Sequence, residues 1–252
     1  MDRRFEGRTA LVTGAASGMG RATALRLAQE GASVFGVDVN ADGLGKVGSE
    51  IEALGARFGS RATDIRSREE CHAAVEACTQ ELGALDVLTN VAGVLRGGHL
   101  SDVTEADYEL VFGVNVAGTY WMCQAAVPRM VDAGRGSIVN VASNAGLMGT
   151  AYTTLYSASK AAVVNLTRSL AMEFVKTPLR INCVAPGGVD TPMTQVSPLP
   201  EDVDWKLVQP YMGFRPMADP ADLAAVIAFV ASDEARQLHG SIVSADSGLT
   251  AG

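Results

Sequence analysis

The stretch Thr13-Gly14-Ala15-Ala16-Ser17-Gly18-Met19-Gly20 decides the fold of this chain. It follows the β-branched run Thr9 to Thr13 and opens a segment of helix length. Glycines in such a turn let the backbone approach a ligand closely, and a helix N-terminus offers unpaired N–H groups to a phosphate. The order G-x-x-x-G-x-G is a variant of the commoner G-x-G-x-x-G, and a glycine-rich turn alone is weak evidence. Its place between a first strand and a helix predicts a dinucleotide site formed by Gly14, Ser17, Gly18, Met19 and Gly20.

Outward from this turn, short strand-like runs alternate with amphipathic segments of helix length. Strands are predicted at Thr9 to Thr13, Ser33 to Val37, roughly Arg57 to Thr63, Val87 to Asn90, Ser137 to Val141, Arg180 to Val184 and Ser241 to Val243. Helices are predicted at Gly18 to Glu30, Ala41 to Leu54, Arg68 to Leu82, Glu105 to Val131, Tyr152 to Val175 and Pro220 to Ala231. Such alternation implies right-handed crossovers and a parallel sheet covered on both faces. The expected fold is α/β, a Rossmann-type doubly wound parallel sheet of about seven strands that binds ligands at the strands' carboxyl ends.

One segment breaks the alternation. Gly187 to Pro216 carries five prolines among apolar residues and fits no single helix or strand. Long connections of this kind are usually functional, so this segment is the candidate substrate lid. No linker, composition shift or internal repeat divides the chain, which predicts one domain over residues 1–252.

Composition limits the partners. The 252 residues are 48% hydrophobic and 19% charged, as in an ordinary globular protein, and the formal net charge is −8. Nucleic acid is not expected as a partner, because binding polyphosphate requires clustered Lys and Arg. The four cysteines are widely spaced and only three histidines accompany them, which favours buried thiols over a disulfide framework or a metal site. The charged first residues resemble no signal peptide and no apolar stretch is long enough for a bilayer, so the cytoplasm is the expected compartment.

Asp38 ends the second predicted strand, 18 positions after Gly20. An acidic side chain there is placed to hydrogen-bond the hydroxyls of the adenosine ribose. A helix N-cap is the alternative, since Asp and Asn favour that role and Asn40 follows closely. The position after the second strand favours the ribose. Because the neighbouring residues offer no cation for a 2′-phosphate, NAD is expected rather than NADP.

Tyr156 and Lys160 are four residues apart in a predicted helix, so they share a face. A solvated helix face would also explain the pair. The small residues around it, from Ser157 to Ala162, instead allow a ligand or another backbone to approach closely. Ser143, directly after the fifth predicted strand, is expected at the same edge of the sheet.

With these motifs in place, the chain resembles the classical short-chain dehydrogenase/reductase family over nearly its whole length. The family's glycine motif corresponds to Thr13 to Gly20, its Asn-Ala-Gly motif to Asn90-Val91-Ala92-Gly93, and its Tyr-x-x-x-Lys pair to Tyr156 and Lys160. The remaining matches are Asn115, Ser143, Asp64-Ile65 beside the adenine, Pro186-Gly187 after the sixth strand, and Val189 and Thr191 in the loop that follows. Val91 replaces the family's second asparagine, which predicts one lost structural hydrogen bond. One motif would be unspecific, whereas this set in the family's order is very specific.

The resemblance implies hydride transfer between NAD(H) and a secondary alcohol or ketone. Tyr156 would exchange a proton with the substrate oxygen, Ser143 would hold that oxygen, and Asn115 would support a water relay. Lys160 would bind the nicotinamide ribose and lower the pKa of Tyr156. The family's direct transfer needs no metal. A homotetramer built through the two long helices and the C-terminal segment is also implied.

Two rival functions stay open at this stage. One is a 3-oxoacyl thioester reductase of the same family, which usually prefers NADPH, so Asp38 counts against it. The other is a nucleotide-sensing protein without turnover, which the set Ser143, Tyr156 and Lys160 counts against. The substrate mouth is predicted to be apolar and to favour bulky hydrophobic compounds. Its expected lining is Leu95, Leu147, Met148, Tyr152, Met193, Val196, Trp205, Tyr211, Met212 and Phe214.

Overall fold

A computed structural model describes residues 3–196 and 199–251 of the chain. Within these residues seven strands form one sheet: β1 (Thr9–Thr13), β2 (Ser33–Asp38), β3 (Phe58–Ala62), β4 (Val87–Asn90), β5 (Gly136–Val141), β6 (Leu179–Pro186) and β7 (Ile242–Ala245). Their spatial order is β3-β2-β1-β4-β5-β6-β7, and every neighbouring pair is parallel. The order reverses between β1 and β4, which places a crevice at the carboxyl ends of these two strands. The predicted fold is confirmed.

Nine α-helices occur in the same described ranges: α1 (Gly18–Gln29), α2 (Ala41–Ala53), α3 (Arg68–Leu82), α4 (Glu105–Phe112), α5 (Thr119–Asp132), α6 (Thr154–Glu173), α7 (Pro192–Val196), α8 (Trp205–Met212) and α9 (Pro220–Ala231). Helices α1, α2 and α9 belong to one face of the sheet, and α3 and α5 to the other. The five inner strands β1, β2, β4, β5 and β6 are almost wholly buried, which explains their continuous apolar runs, whereas the edge strands β3 and β7 are partly exposed.

A π-helical turn, Gly113–Gly118, joins α4 to α5. Where the sequence predicts one regular helix from Glu105, the structure therefore has an irregular one. The extra residue in such a turn changes which side chains face inward, and π-turns are frequent at functional sites. The turn buries Asn115 while its Gly118 makes room for the side chain of Ile65.

The π-helical turn joins α4 and α5 into one continuous helix, Glu105–Asp132. By length and composition alone, this helix could cross a membrane. The expectation that no segment reaches that length is wrong by this measure. Half of its most apolar window is buried, however, and its side chains Met122, Cys123 and Met130 belong to the core beneath the sheet. The helix thus has the environment of a core helix in a globular domain. All four cysteines are buried and unpaired, as the sequence predicts.

The segment predicted to be a lid folds as two short helices, α7 and α8, with irregular chain around them. Ser197, Pro198 and the Val196 side chain lie outside the described residues. Two hydroxyl groups connect the segment to the loop before α6. Tyr211 donates to the Ala151 carbonyl at 2.5 Å, and the Tyr152 hydroxyl accepts from the Asp204 N–H at 2.9 Å. The segment is thereby held across the carboxyl ends of the strands.

Candidate active site

A cavity of about 280 Å³ opens at the carboxyl ends of β1, β2 and β4. Most of the residues predicted to bind a dinucleotide line it: Gly14, Ser17, Gly18, Met19, Gly20, Asp38, Asp64, Ile65, Ala92, Gly93 and Thr191. They come from five different parts of the chain, and the parallel sheet brings them to one edge. Ile65 is buried, whereas Asp64 pairs with Arg66, which lowers the pKa of that carboxyl.

The glycine turn has the shape needed for a bound pyrophosphate. Gly14 has a φ of +68°, and a Cβ on Gly20 would lie 1.9 Å from the Gly14 carbonyl oxygen, so neither position admits a side chain without a shift. Helix α1 starts at this turn, and its N-cap residue Ser17 makes no side-chain capping bond. The first N–H groups of α1 and the Ser17 hydroxyl are therefore available at the cavity.

Asp38 also lines this cavity, beside the glycine turn. One carboxylate oxygen accepts from the Ala16 N–H at 3.1 Å and the other from the Asn40 N–H at 2.9 Å. Asn40, not Asp38, caps α2, because its side chain accepts from the Gly43 N–H. The N-cap alternative for Asp38 is therefore wrong, and its carboxylate is held by the glycine turn itself. None of the described residues lining the cavity is a lysine or an arginine.

Asn90 is a member of the predicted set that does not line this cavity. It is buried, and its Nδ2 donates to Asn140 Oδ1 at 2.9 Å. Asn90 Oδ1 is buried with no hydrogen-bond partner among the described residues. Thr13 Oγ1 accepts from the Val91 and Ala92 N–H groups, at 3.0 and 3.1 Å, and so joins the end of β1 to the loop after β4.

A second cavity of about 190 Å³ adjoins the first, and the two share Met19, Thr191 and Met193. Ser143 and Tyr156 both line it, and they hydrogen-bond to each other. Its floor contains the predicted residues Pro186, Gly187 and Val189. Two hydroxyl side chains thus lie where the second cavity adjoins the predicted nucleotide cavity, an arrangement suited to transfer between a nucleotide and a small substrate.

Lys160 lies behind Tyr156, one helical turn along α6. Its ammonium is 3% exposed and lies 5.7 Å from the centre of the Tyr156 ring. It donates to the Val141 carbonyl at 2.9 Å. Gly93 is beside it, since a Cβ there would lie 3.3 Å from both Lys160 Nζ and Asn115 Oδ1. Lys160 therefore links the catalytic helix to the edge of the nucleotide cavity.

The protonation of this pair differs from the sequence-based expectation. Burial raises the pKa of Tyr156, and the Ser143 hydrogen bond opposes the rise. Burial likewise lowers the pKa of Lys160 to about 8. The Lys160 ammonium lies over the Tyr156 ring and donates to the Val141 carbonyl rather than to the phenol oxygen, and the Tyr156 pKa is raised here instead of lowered.

Asn115 occupies the π-helical turn and is 1% exposed. Its side chain clamps the loop after β4, accepting from the Val94 N–H at 2.8 Å and donating to the Val94 carbonyl at 2.9 Å. It also donates to Ser159 Oγ at 2.9 Å, which connects this loop to α6. The side chain is fully used in positioning the site.

Only part of the predicted apolar mouth lines the second cavity. Leu95, Met193 and Tyr211 do so, whereas Leu147, Met148, Tyr152, Trp205, Met212 and Phe214 do not. Trp205, Met212 and Phe214 point outward and are 58%, 62% and 107% exposed. Hydrophobicity alone cannot tell which face of a short helix such as α8 points inward. The sequence-based prediction missed polar residues that do line the cavity, namely Asn144, Thr150, Thr153 and Thr194. Adjacency to Ser143 is the signal that could have identified Asn144.

The model of a protein family described as short chain dehydrogenase matches residues 8–201. This chain belongs to the short-chain dehydrogenase family. One of its relatives is a 3-oxoacyl-(acyl-carrier-protein) reductase of Thermotoga maritima. The two are 38% identical, over 98% of this chain and 99% of that protein. This chain is 39% identical to the cis-4-hydroxycyclohexanecarboxylate dehydrogenase of Sinomonas cyclohexanicum, over the full length of both. The family predicted from the motifs is confirmed.

The dehydrogenase is also similar to a solved short chain dehydrogenase of Mycobacterium paratuberculosis bound to NAD. The TM-score is 0.92 at 33% identity, and the match covers 99% of this chain and 100% of that one. A 3-ketoacyl-(acyl-carrier-protein) reductase of Brucella melitensis complexed with NADH superposes with a TM-score of 0.88 at 31% identity, covering 98% of this chain and 99% of that one. The prediction of NAD as cofactor agrees with both structures.

Proposed function

We propose that this dehydrogenase transfers a hydride between NAD(H) and a secondary alcohol or ketone, using Ser143, Tyr156 and Lys160. The observation that carries the proposal is the meeting of Ser143 and Tyr156 in a small cavity that shares walls with the nucleotide cavity. When bound, the nicotinamide accepts a hydride from the alcohol carbon or returns it to the ketone. The rest of the chemistry is moving one proton, which falls to the protein.

The tyrosine hydroxyl is the acid and base of this proposal. In alcohol oxidation the Tyr156 phenolate takes the hydroxyl proton of the substrate, and in ketone reduction the phenol donates it. Ser143 donates a hydrogen bond to the substrate oxygen and so holds it near Tyr156. When Lys160 is protonated, its ammonium at the edge of the nucleotide cavity binds the ribose and favours the phenolate form of Tyr156. Asn115 fixes the loop and the helix that carry these groups.

Asp38 supports NAD as the preferred nucleotide. Its carboxylate lines the nucleotide cavity beside the glycine turn, where it can accept from ribose hydroxyls and would repel a 2′-phosphate. The cations that would neutralise such a phosphate are absent from the described lining. The Ser17 hydroxyl and the first N–H groups of α1 would hold the pyrophosphate.

The substrate is proposed to be a mainly hydrophobic secondary alcohol or ketone. Leu95, Val189 and Met193 form apolar walls of the catalytic cavity. The segment from 187 to 216 acts as the lid over it. The cytoplasm is the proposed compartment, and a homotetramer the proposed assembly.

Reduction of 3-oxoacyl thioesters is the second candidate, favoured by the Thermotoga maritima relative. Its substrate would carry a long acyl arm into the same cavity, and it differs from the first candidate in the substrate alone. The third candidate function is a nucleotide sensor without turnover. It gives Tyr156 no role.

One assay separates these functions. Purified protein is mixed with NAD and a panel of secondary alcohols, or with NADH and the ketones and a 3-oxoacyl thioester, while nicotinamide absorbance is followed. We expect turnover of hydrophobic alcohols, and loss of more than nine-tenths of it in Tyr156→Phe, equivalent to at least ~1.4 kcal/mol in the barrier. NADH binding, measured by fluorescence, should survive that substitution. Retention of more than a tenth of the activity would exclude Tyr156 as the acid and base.

A further inference from the structure

Asn144 directly follows Ser143 and begins the short 3-10 turn Asn144–Gly146 at the end of β5. The side chain lines the catalytic cavity beside Ser143 and Tyr156, yet only 7% of the residue is exposed. A buried amide without its full set of partners is costly, so what each end of this side chain bonds to decides its role.

The hydrogen bonds of the turn fix the orientation of the amide. Asn144 Oδ1 lies 2.9 Å from the Ala145 backbone nitrogen and 3.0 Å from Ser143 Oγ. A backbone N–H can only donate, so the atom facing Ala145 must be the carbonyl oxygen and not the amide nitrogen. The NH₂ group therefore takes the other position.

That NH₂ group is a spare donor. Among the described residues no acceptor lies within hydrogen-bonding distance of Asn144 Nδ2, and the atom is not among those shut off from solvent. The Ser143 hydroxyl is different, since it already accepts from the Ala145 N–H at 3.2 Å and donates to Asn144 Oδ1. The unpaired NH₂ donor of Asn144 thus lies next to the Ser143 hydroxyl, whose own proton is donated to Asn144 Oδ1.

The rest of the cavity is uncharged. None of the described residues lining it is acidic or basic. Arg96, which follows Leu95, pairs with Asp107 at 3.4 Å and donates to the Leu95 carbonyl, and the Lys160 ammonium behind Tyr156 donates to the Val141 carbonyl. A substrate carboxylate or phosphate would have no counter-ion here, whereas an uncharged oxygen would satisfy the spare amide.

We propose that Asn144 is a specificity-determining residue, whose NH₂ group binds a second, uncharged oxygen adjacent to the reacting one. The substrate class is then a compact, mainly apolar compound with two neighbouring oxygens, such as a vicinal diol, a hydroxyketone or a diketone on a hydrocarbon ring. This inference rests on the proposed function. It adds that a compound lacking the second oxygen leaves a buried donor unpaired and is discriminated against.

A matched pair of substrates tests the proposal. Cyclohexane-1,2-diol and 2-methylcyclohexanol have nearly the same shape and differ in one oxygen. The kcat/KM of each is measured with NAD, for each stereoisomer, and the ratio of diol to methyl compound is compared between variants. Wild-type enzyme is expected to give a ratio above ten for the preferred isomers.

Asn144→Asp is the informative variant. It keeps an oxygen to accept from the Ala145 N–H and removes only the NH₂ donors. Its added charge acts on the reacting centre for both substrates, so the ratio isolates the contact with the second oxygen. The ratio should fall at least tenfold. Asn144→Ala, which removes the whole amide, should lower it similarly. Thr194→Val is the control within the same cavity, because the Thr194 hydroxyl already donates to the Thr191 carbonyl at 2.8 Å, and its ratio should stay near the wild-type value.

Other results would refute either the role of Asn144 or the proposed function itself. If the wild-type ratio is near one while either compound is oxidised, or if both Asn144 variants keep the wild-type ratio, Asn144 only supports the turn and the proposal fails. Oxidation of monofunctional alcohols alone also refutes it but leaves the proposed function standing. If no alcohol or ketone in the wider panel is turned over, the proposed function itself fails, and this inference fails with it.

Discussion

Lys160 is the residue whose position is hardest to reconcile with stability. The protein encloses an ammonium that burial drives toward neutrality, with a single carbonyl to bond to. The pKa of Lys160 is about 8 in the folded protein, against 10.5 for an ordinary lysine side chain. Below about pH 8, Lys160 is charged in both the folded and the unfolded protein. Burial of that charge therefore lowers the free energy of unfolding. Functional sites commonly carry such a cost.

We therefore expect Lys160→Met to stabilise the protein near neutral pH. The upper limit is about 3 kcal/mol in the free energy of unfolding, from 1.36 kcal/mol per pKa unit. Because the folded pKa is the lower one, the cost is complete below pH 8 and fades as the pH rises toward the unfolded pKa, so the gain should shrink over that range. Urea unfolding of wild type and variant at several pH values measures it. Turnover should fall in the same variant, and equal or lower stability at neutral pH would contradict the assigned burial cost.

Asp38 allows a prediction about the nucleotide. Wild-type enzyme should prefer NAD to NADP by at least tenfold in kcat/KM, about 1.4 kcal/mol, because the carboxylate repels a 2′-phosphate. Asp38→Ala should narrow that gap by weakening NAD and relieving the repulsion. Asp42→Ala, in the first turn of α2, is a control of equal charge change. Kinetics with both nucleotides decide the matter, and equal or reversed preference in the wild type would refute the role of Asp38.

At the scale of elements, the lid depends on a pair of tyrosines. Tyr152 adopts a φ of +61°, which is unusual for a residue with a side chain, and from there its hydroxyl reaches the Asp204 N–H. Tyr211, on α8, bonds back to the neighbouring Ala151 carbonyl and also lines the catalytic cavity. The two contacts couple the position of α8 to the loop that precedes the catalytic helix.

Tyr211→Phe should loosen this connection while preserving the ring. Losing one hydrogen bond of about 1 kcal/mol predicts a rise of roughly fivefold in KM for the alcohol. Faster proteolytic cleavage within 187–216 should accompany it. Tyr120→Phe is the control, since Tyr120 is 42% exposed on α5 and its hydroxyl has no hydrogen bond within the described residues. An unchanged KM together with unchanged proteolysis would show that α8 is held by other contacts.

At the scale of the whole molecule, the proposed tetramer would form through a surface on α4 and α6. A shallow apolar groove there is lined by Leu100, Val103, Tyr108, Phe112 and Leu155. Tyr108 is 53% exposed and stacks on Phe112 with ring centres 4.6 Å apart. A charge buried in such an interface without a partner is strongly unfavourable.

Light scattering at micromolar concentration should therefore give the mass of four chains for the wild type. Tyr108→Glu should lower that mass to two chains or one while circular dichroism stays unchanged. Leu54→Glu replaces a 48% exposed apolar residue after α2 and should leave the assembly intact. A monomeric wild type would refute the tetramer.

Much of this molecule follows from local sequence signals. Short apolar runs alternate with amphipathic segments of helix length, and this alternation predicts the seven strands and the parallel sheet. The reason is that an inner strand of such a sheet is buried on both faces and a helix on one. The glycine turn, Asp38, Ser143 and the Tyr156–Lys160 spacing lie directly after strands or on one helix face, so their meeting at the carboxyl edge follows from topology. The motifs in their order also indicate the family.

The tertiary structure decided what depends on contacts between distant parts of the chain. The sequence does not show that Asn90 turns into the core, that Asn115 lies in a π-turn, or that Trp205 and Phe214 face outward. Nor does it show the protonation of Tyr156 and Lys160, because desolvation depends on everything packed around a group. The free NH₂ of Asn144 belongs to the same class, since a donor is spare only relative to all the acceptors that folding brings within reach.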